Sequence, residues 1–174
     1  MKALIPGSFD PPTLGHLDII QRSLDTFEDI LIGVVTNPSK KAMFSTEDRV
    51  GMLTNNIQID KSTKVEVKKF DGLLVDFAKK ENVDVIVKGV RAMTDFDYEF
   101  QMAQVNKDLD GLETLFVPAK PEYGYVSSSL VKEIFRLDGD VSSFVASIIF
   151  SWISCSFVFF FHNMRLNPFD LPKG

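Results

Sequence analysis

The chain has 174 residues, 45% hydrophobic and 25% charged, with a formal net charge of −5. This is the composition of one globular domain with a full core, and it excludes a general nucleic-acid binder, which needs a basic face. A single cysteine, Cys155, excludes an internal disulfide and fits a reducing, cytoplasmic compartment, and two distant histidines, His16 and His162, without Cys/His ligand spacing argue against a zinc site.

Met1-Lys2-Ala3 runs straight into an apolar segment, so no signal peptide is expected. From there, apolar runs of strand length alternate with longer amphipathic runs. Strands are predicted over Lys2–Pro6, Asp29–Thr36, Lys64–Phe70, Val83–Lys88 and Thr114–Val117. Helices are predicted over Leu17–Phe27, Thr46–Ile57, Leu73–Glu81, Phe96–Leu109 and Ser128–Leu137. Runs such as Ile30-Leu31-Ile32-Gly33-Val34-Val35 are apolar throughout, as strands covered on both faces are. The alternation predicts an α/β, Rossmann-like, doubly wound parallel sheet of five strands with helices on both faces. Ligands in such sheets bind at the carboxyl ends of the strands.

The stretches with chemical potential all follow predicted strands. Pro6-Gly7-Ser8-Phe9-Asp10-Pro11-Pro12-Thr13-Leu14-Gly15-His16 reads as strand, glycine turn and helix, a build that offers amides and a positive helix end to a phosphate. Gly7 suits backbone angles closed to other residues, Gly15 allows close approach, and His16 falls in the first helical turn. On spacing alone, a proline-rich surface loop with an ordinary histidine explains this stretch equally well. Pro38-Ser39-Lys40-Lys41 follows the second strand, and its lysines alone read as a solvated pair. Ser45 reads as a helix N-cap with Asp48 reaching back to it. Gly72 makes a turn, and Leu73 reads as core. Lys88-Gly89-Val90-Arg91 gathers cations at the fourth strand's end, where an arginine fork can grip phosphate oxygens. Asp95 and Asp97 suit the helix dipole. Ser127-Ser128-Ser129, after Tyr123-Gly124-Tyr125-Val126, groups amides and hydroxyls at a helix start.

Gly7-Ser8-Phe9-Asp10-Pro11 with Thr13-Leu14-Gly15-His16 resembles the nucleotidyltransferase signature. The Pro-Ser-Lys-Lys loop, the Lys-Gly-Val-Arg turn and the string Val126 to Lys132 narrow the resemblance to the bacterial phosphopantetheine adenylyltransferase family. The resemblance implies adenylyl transfer from ATP to 4′-phosphopantetheine, giving dephospho-coenzyme A and pyrophosphate. It implies that His16, Lys40 and Arg91 are catalytic, with His16 as transition-state stabiliser. It implies ATP contacts at Ser8, Phe9, His16, Gly89, Val90, Arg91, Glu99, Tyr123, Gly124, Tyr125, Val126, Ser127, Ser128 and Ser129. Ser8, Lys40, Leu74 and Lys88 are implied for the second substrate. Mg²⁺, held chiefly by the nucleotide, and a homohexamer whose trimer contacts draw on the Phe96–Leu109 helix are further implications. Lys88 stands where the family has an arginine, which keeps the charge and loses the bidentate grip.

The resemblance covers residues 1–145, the expected domain. From Phe144 to Phe161 the chain is without charge. For this tail, 146–174, an end altered relative to the family is preferred over a buried or oligomer-facing segment, and a membrane anchor is the least favoured reading. Two alternatives to the main reading remain open at this stage. One is another nucleotidyltransferase, acting on nicotinate mononucleotide or using CTP. The other is a nucleotide-binding regulatory module without catalysis.

Overall fold

The computed structural model describes residues 1–36, 42–57 and 63–154. Its sheet is five parallel strands, β1 (Lys2–Gly7), β2 (Asp29–Val35), β3 (Lys64–Phe70), β4 (Val85–Val90) and β5 (Glu113–Pro118), in the order β3-β2-β1-β4-β5. The chain steps outward from β1 to one edge, then crosses back to β4 beside β1. The order therefore reverses between β1 and β4, which is where a parallel sheet opens a crevice at its carboxyl end. The helices between are α1 (Leu14–Leu24), α2 (Thr46–Thr54), α3 (Leu74–Lys80) and α4 (Met93–Asp110), and α5 (Ser128–Arg136) follows β5.

Alternation along β1 builds both cores at once. Ala3 and Ile5 face one side and pack with Ile19, Ile20, Ile30, Ile32, Leu53 and Val87. Leu4 faces the other and packs with Leu31, Ala78, Ile86 and Leu112. Residues at successive strand positions point to opposite faces, so a strand covered twice is apolar where it is covered, as β1, β2 and β4 are over Ala3–Ile5, Ile30–Val34 and Val85–Val87. β3 lies at an edge and instead carries Lys64, Glu66 and Lys68, paired with one another and with Glu81. Charges there discourage pairing with a second sheet.

Two helices begin three residues earlier than the periodicity predicts. α1 starts at Leu14 because Thr13 and His16 cap it reciprocally, and α4 starts at Met93. A third core joins α2 to α5 through Phe44, Met52, Val126 and Val131, and it also takes in Val141, Val145, Ile149 and Ile153. Packing therefore runs past the expected boundary at Val145. Residues 147–154 are helical, Ile149 and Ile153 are at most 1% exposed, and Trp152 lies against Gly51. The remainder of the apolar tail, 155–174, is outside the described residues. Among the described residues no helix is long and apolar enough to cross a membrane.

Candidate active site

The loop after β1 is shaped by one ring. Phe9 has φ of 48°, is 2% exposed, and turns its side chain back over the strand end. A Cβ on Gly7 would sit 2.9 Å from the Phe9 ring, so Gly7 is needed for that packing and not, as expected, for an unusual backbone angle. Phe9 also meets the His16 ring edge to face, centroids 5.1 Å apart.

His16 is the third residue of α1, and its orientation is fixed by the cap. Its backbone N–H points to Thr13 Oγ1, while its Nδ1 accepts from the Thr13 amide at 3.0 Å and lies 2.9 Å from Thr13 Oγ1. An Nδ1 that accepts from an amide leaves the neutral ring's hydrogen on Nε2. Burial, and then the nearby Arg91 charge, push the His16 pKa down to about 4. At neutral pH the ring is therefore an uncharged Nε2–H donor in a fixed direction.

The loop itself is tied down from behind. Asp10 is 4% exposed and accepts from the amides of Met43 and Phe44 at 2.9–3.0 Å and from Lys132 Nζ at 2.7 Å. Burial alone raises the Asp10 pKa, but these three donors and the Lys132 charge outweigh it and hold the carboxyl below its ordinary value. Ser128 Oγ donates to the Pro11 carbonyl at 2.7 Å, and the Leu14 amide donates to Phe144 O at 2.9 Å. The loop, α5 and the chain after α5 thus form one unit.

Across the crevice, Lys88 Nζ lies 3.1 Å from Glu99 Oε2. Arg91 donates to Asp95 Oδ2 through Nε and Nη2, each at 2.9 Å, and to the Val126 carbonyl through Nη1 at 2.8 Å. Asp95, expected to serve the helix dipole alone, orients the Arg91 fork. The serines divide their labour: Ser127 caps α5 by accepting from the Leu130 amide, Ser128 ties down the first loop, and Ser129 is exposed.

One hollow of about 760 Å³ gathers these parts at the carboxyl ends of β1 and β4. Of the expected contacts, Ser8, Phe9, His16, Leu74, Lys88, Gly89, Arg91, Glu99, Val126, Ser127, Ser128 and Ser129 all line it. Val90, Tyr123, Gly124 and Tyr125 do not. The Val90 carbonyl is taken by the Ala119 amide, Tyr123 packs against Gly15, and Tyr125, 65% exposed, meets Phe144 edge to face. Lys40 is outside the described residues. Leu73, expected in the core, is 59% exposed and borders the hollow. Phe70, Leu74 and Met102 line it too, so the lining is apolar as well as polar. Sequence reading passed over Arg49 and gave Asp10 and Lys132 no individual role; the one available signal was that all three are charged residues close to apolar positions.

A parallel sheet in this order, with a capped histidine, an arginine turn and a serine-headed helix around one hollow, defines a nucleotidyltransferase. Residues 4–134 match the cytidylyltransferase-like family model. Phosphopantetheine adenylyltransferase of Caldanaerobacter subterraneus subsp. tengcongensis is 49% identical over 149 residues, covering 84% of this chain and 91% of the relative. The enzymes of that name from Clostridium perfringens (strain ATCC 13124) and Streptomyces coelicolor are 48% and 46% identical, covering 80% and 85% of this chain and 85% and 92% of theirs. The chain belongs to the phosphopantetheine adenylyltransferase family. Among solved structures, a bifunctional NMN adenylyltransferase/ADP ribose pyrophosphatase from Francisella tularensis superposes with a TM-score of 0.66 at 17% identity, over 84% of this chain and 45% of the other. Plasmodium falciparum nicotinic acid mononucleotide adenylyltransferase gives 0.62 at 15% identity, over 89% and 95%. Likeness at those identities shows the fold alone.

Proposed function

We propose that the chain is a pantetheine-phosphate adenylyltransferase, joining the adenylyl group of ATP to 4′-phosphopantetheine with release of pyrophosphate in coenzyme A biosynthesis. The observation that carries the reading is the sharing of one hollow by His16, Lys88, Arg91 and the serine-headed helix, in a chain nearly half identical to enzymes of that name. The lining of the hollow suits both substrates: cations, amides and hydroxyls for phosphates, and Phe70, Leu73, Leu74 and Met102 for a long uncharged arm.

In the proposed reaction a phosphate oxygen of the acceptor attacks the α-phosphorus of ATP in line, and the bond to the pyrophosphate oxygen breaks. The acceptor brings its own nucleophile, so the protein places the reactants and stabilises charge. His16 donates from Nε2 to an α-phosphate oxygen. Arg91 and Lys88 balance incoming and outgoing phosphates, with Lys40 in the same role. Ser8 and the Phe9 amide hold the phosphate chain, and Ser129 with the head of α5 holds its far end. Mg²⁺ would come with the triphosphate and would offset its negative charge. The acids of the hollow, Asp95 and Glu99, are engaged by Arg91 and Lys88. Location in the cytoplasm fits the single cysteine. A homohexamer fits the apolar surface of α4, where Tyr98, Val105 and Leu109 are each at least 46% exposed.

Mixing the chain with ATP, Mg²⁺ and 4′-phosphopantetheine should release pyrophosphate. Release that requires CTP, or nicotinate mononucleotide as acceptor, would replace this reading with another nucleotidyltransferase. No release with any of them would leave a binding module.

A further inference from the structure

Behind the hollow lies a cation that the proposed mechanism does not use. Arg49, on α2, is 4% exposed. No carboxylate lies within 4.0 Å of it among the described residues, where ion pairs do form at Lys88 and Arg91. Its guanidinium instead meets oxygens: Nη1 donates to the Ser8 carbonyl at 2.7 Å and to the Val35 carbonyl at 3.2 Å, Nη2 to Thr46 Oγ1 at 2.9 Å, and Nε to the Ser45 carbonyl at 3.2 Å. Burying a charge is costly unless its donors are satisfied, and an apolar side chain of similar volume would fill the space without that cost. The bonds must therefore do something that packing cannot.

The consequence lies in the peptide between Ser8 and Phe9. A trans peptide is planar, and its C=O and N–H point in opposite directions. The Ser8 carbonyl is drawn back to Arg49, so the Phe9 N–H is turned away from Arg49, and Ser8, Phe9 and His16 all line the hollow. Phe9 sits at a φ of 48°, a conformation that a non-glycine residue keeps only when its surroundings impose it. Among the described residues nothing accepts a hydrogen bond from the Phe9 amide. The same Nη1 grips the end of β2 through Val35, which also lines the hollow.

We propose that Arg49 is a positioning residue that holds the Ser8–Phe9 peptide with its N–H aimed at the phosphate chain, as a fixed donor for charge that builds in the transition state. Arg49 itself touches no substrate; it acts through a backbone group. The proposal rests on the adenylyltransferase reading for its kinetics but not for its geometry. A planar fork on several oxygens is what the site requires, and a lysine cannot reproduce it.

Arg49→Lys keeps the charge and removes the fork. The expected result is a fall in kcat of at least tenfold, KM for ATP and for 4′-phosphopantetheine within threefold of wild type, and a folded protein by circular dichroism. The second readout is the Phe9 amide in ¹H–¹⁵N spectra. It should shift when inorganic pyrophosphate is added to the wild-type chain and shift much less in Arg49→Lys. A folded Arg49→Lys with kcat within twofold of wild type, or one whose whole loss lies in KM, overturns the proposal. So does a Phe9 amide that responds to pyrophosphate equally in both proteins. Should Arg49→Lys not fold, Thr46→Val removes one support of the guanidinium and should lower kcat by two- to fivefold with KM unchanged; unaltered kcat there overturns it as well. A wild-type chain that makes no product from ATP and 4′-phosphopantetheine refutes the functional reading alone, and the pyrophosphate comparison still decides the role of Arg49.

Discussion

The two walls of the hollow are held by different means. The wall of residues 8–16 is fixed by a network of hydrogen bonds onto largely buried groups: Arg49 on the Ser8 carbonyl, Lys132 and two amides on Asp10, and Thr13 on His16. The facing wall is held mainly by two ion pairs, Lys88–Glu99 and Arg91–Asp95, whose side chains are 21–34% exposed, with one bond from Arg91 to the Val126 carbonyl beside them. A satisfied network has one arrangement, while a partly exposed ion pair contributes little and can exchange partners with an arriving phosphate. The difference teaches a division of work. The first wall presents donors at set positions, which suits a transition state. The second gathers and releases charged substrates, and Lys88 serves there as a mobile point charge where a rigid fork is not demanded.

The contrast can be broken most forcefully at Asp10. Asp10→Asn leaves Lys132 partly buried without its counter-charge and should cost about 3 kcal/mol, read by urea denaturation. A loss under about 1 kcal/mol would mean that the first wall is no more firmly held than the second. A pH series gives the next largest effect. His16 titrates near 6.5 when unfolded and near 4 when folded. Between these values the unfolded chain binds a proton that the folded chain refuses, so stability falls as pH falls, by about 1 to 2 kcal/mol from pH 7 to pH 5. Asp10 adds to this as pH falls through the ordinary aspartate value of 3.8, where the unfolded carboxyl takes up a proton that the depressed folded one still refuses. The His16→Gln chain should lose that part of the slope, and identical slopes would contradict the buried, neutral imidazole. Glu99→Gln should do least. It frees Lys88 from a pair worth about 0.5 kcal/mol and should lower KM for 4′-phosphopantetheine about twofold with kcat unchanged. A large fall in kcat would put Glu99 in the fixed machinery instead.

What could be read from the sequence follows the same divide between local and distant partners. The strands are legible because β1, β2 and β4 hold short apolar runs in alternation with longer amphipathic ones, as a doubly covered sheet does. His16, Arg91 and the three serines were legible because each sits in a contiguous string at the end of a predicted strand. Arg49, Asp10 and Lys132 were not, because their partners lie far along the chain: Asp10 meets Lys132 across 122 positions, and Arg49 meets Ser8 across 41. Local pattern likewise gave Asp95 to the helix dipole, since its bond to the Arg91 fork depends on how β4 enters α4. The stretch 147–154 looked foreign by composition, yet its isoleucines at 149 and 153 complete the core between α2 and α5. A buried segment needs only the right face, and an uncharged sequence supplies one.

The account turns on His16 acting at the reacting phosphorus and not merely capping α1. Steady-state kinetics of His16→Ala, followed by pyrophosphate release with both substrates, addresses this directly. The predicted result is a fall in kcat of about 10²- to 10³-fold with KM for ATP nearly unchanged, the pattern of a donor that works only in the transition state. A variant that keeps kcat and loses only ATP affinity would contradict it.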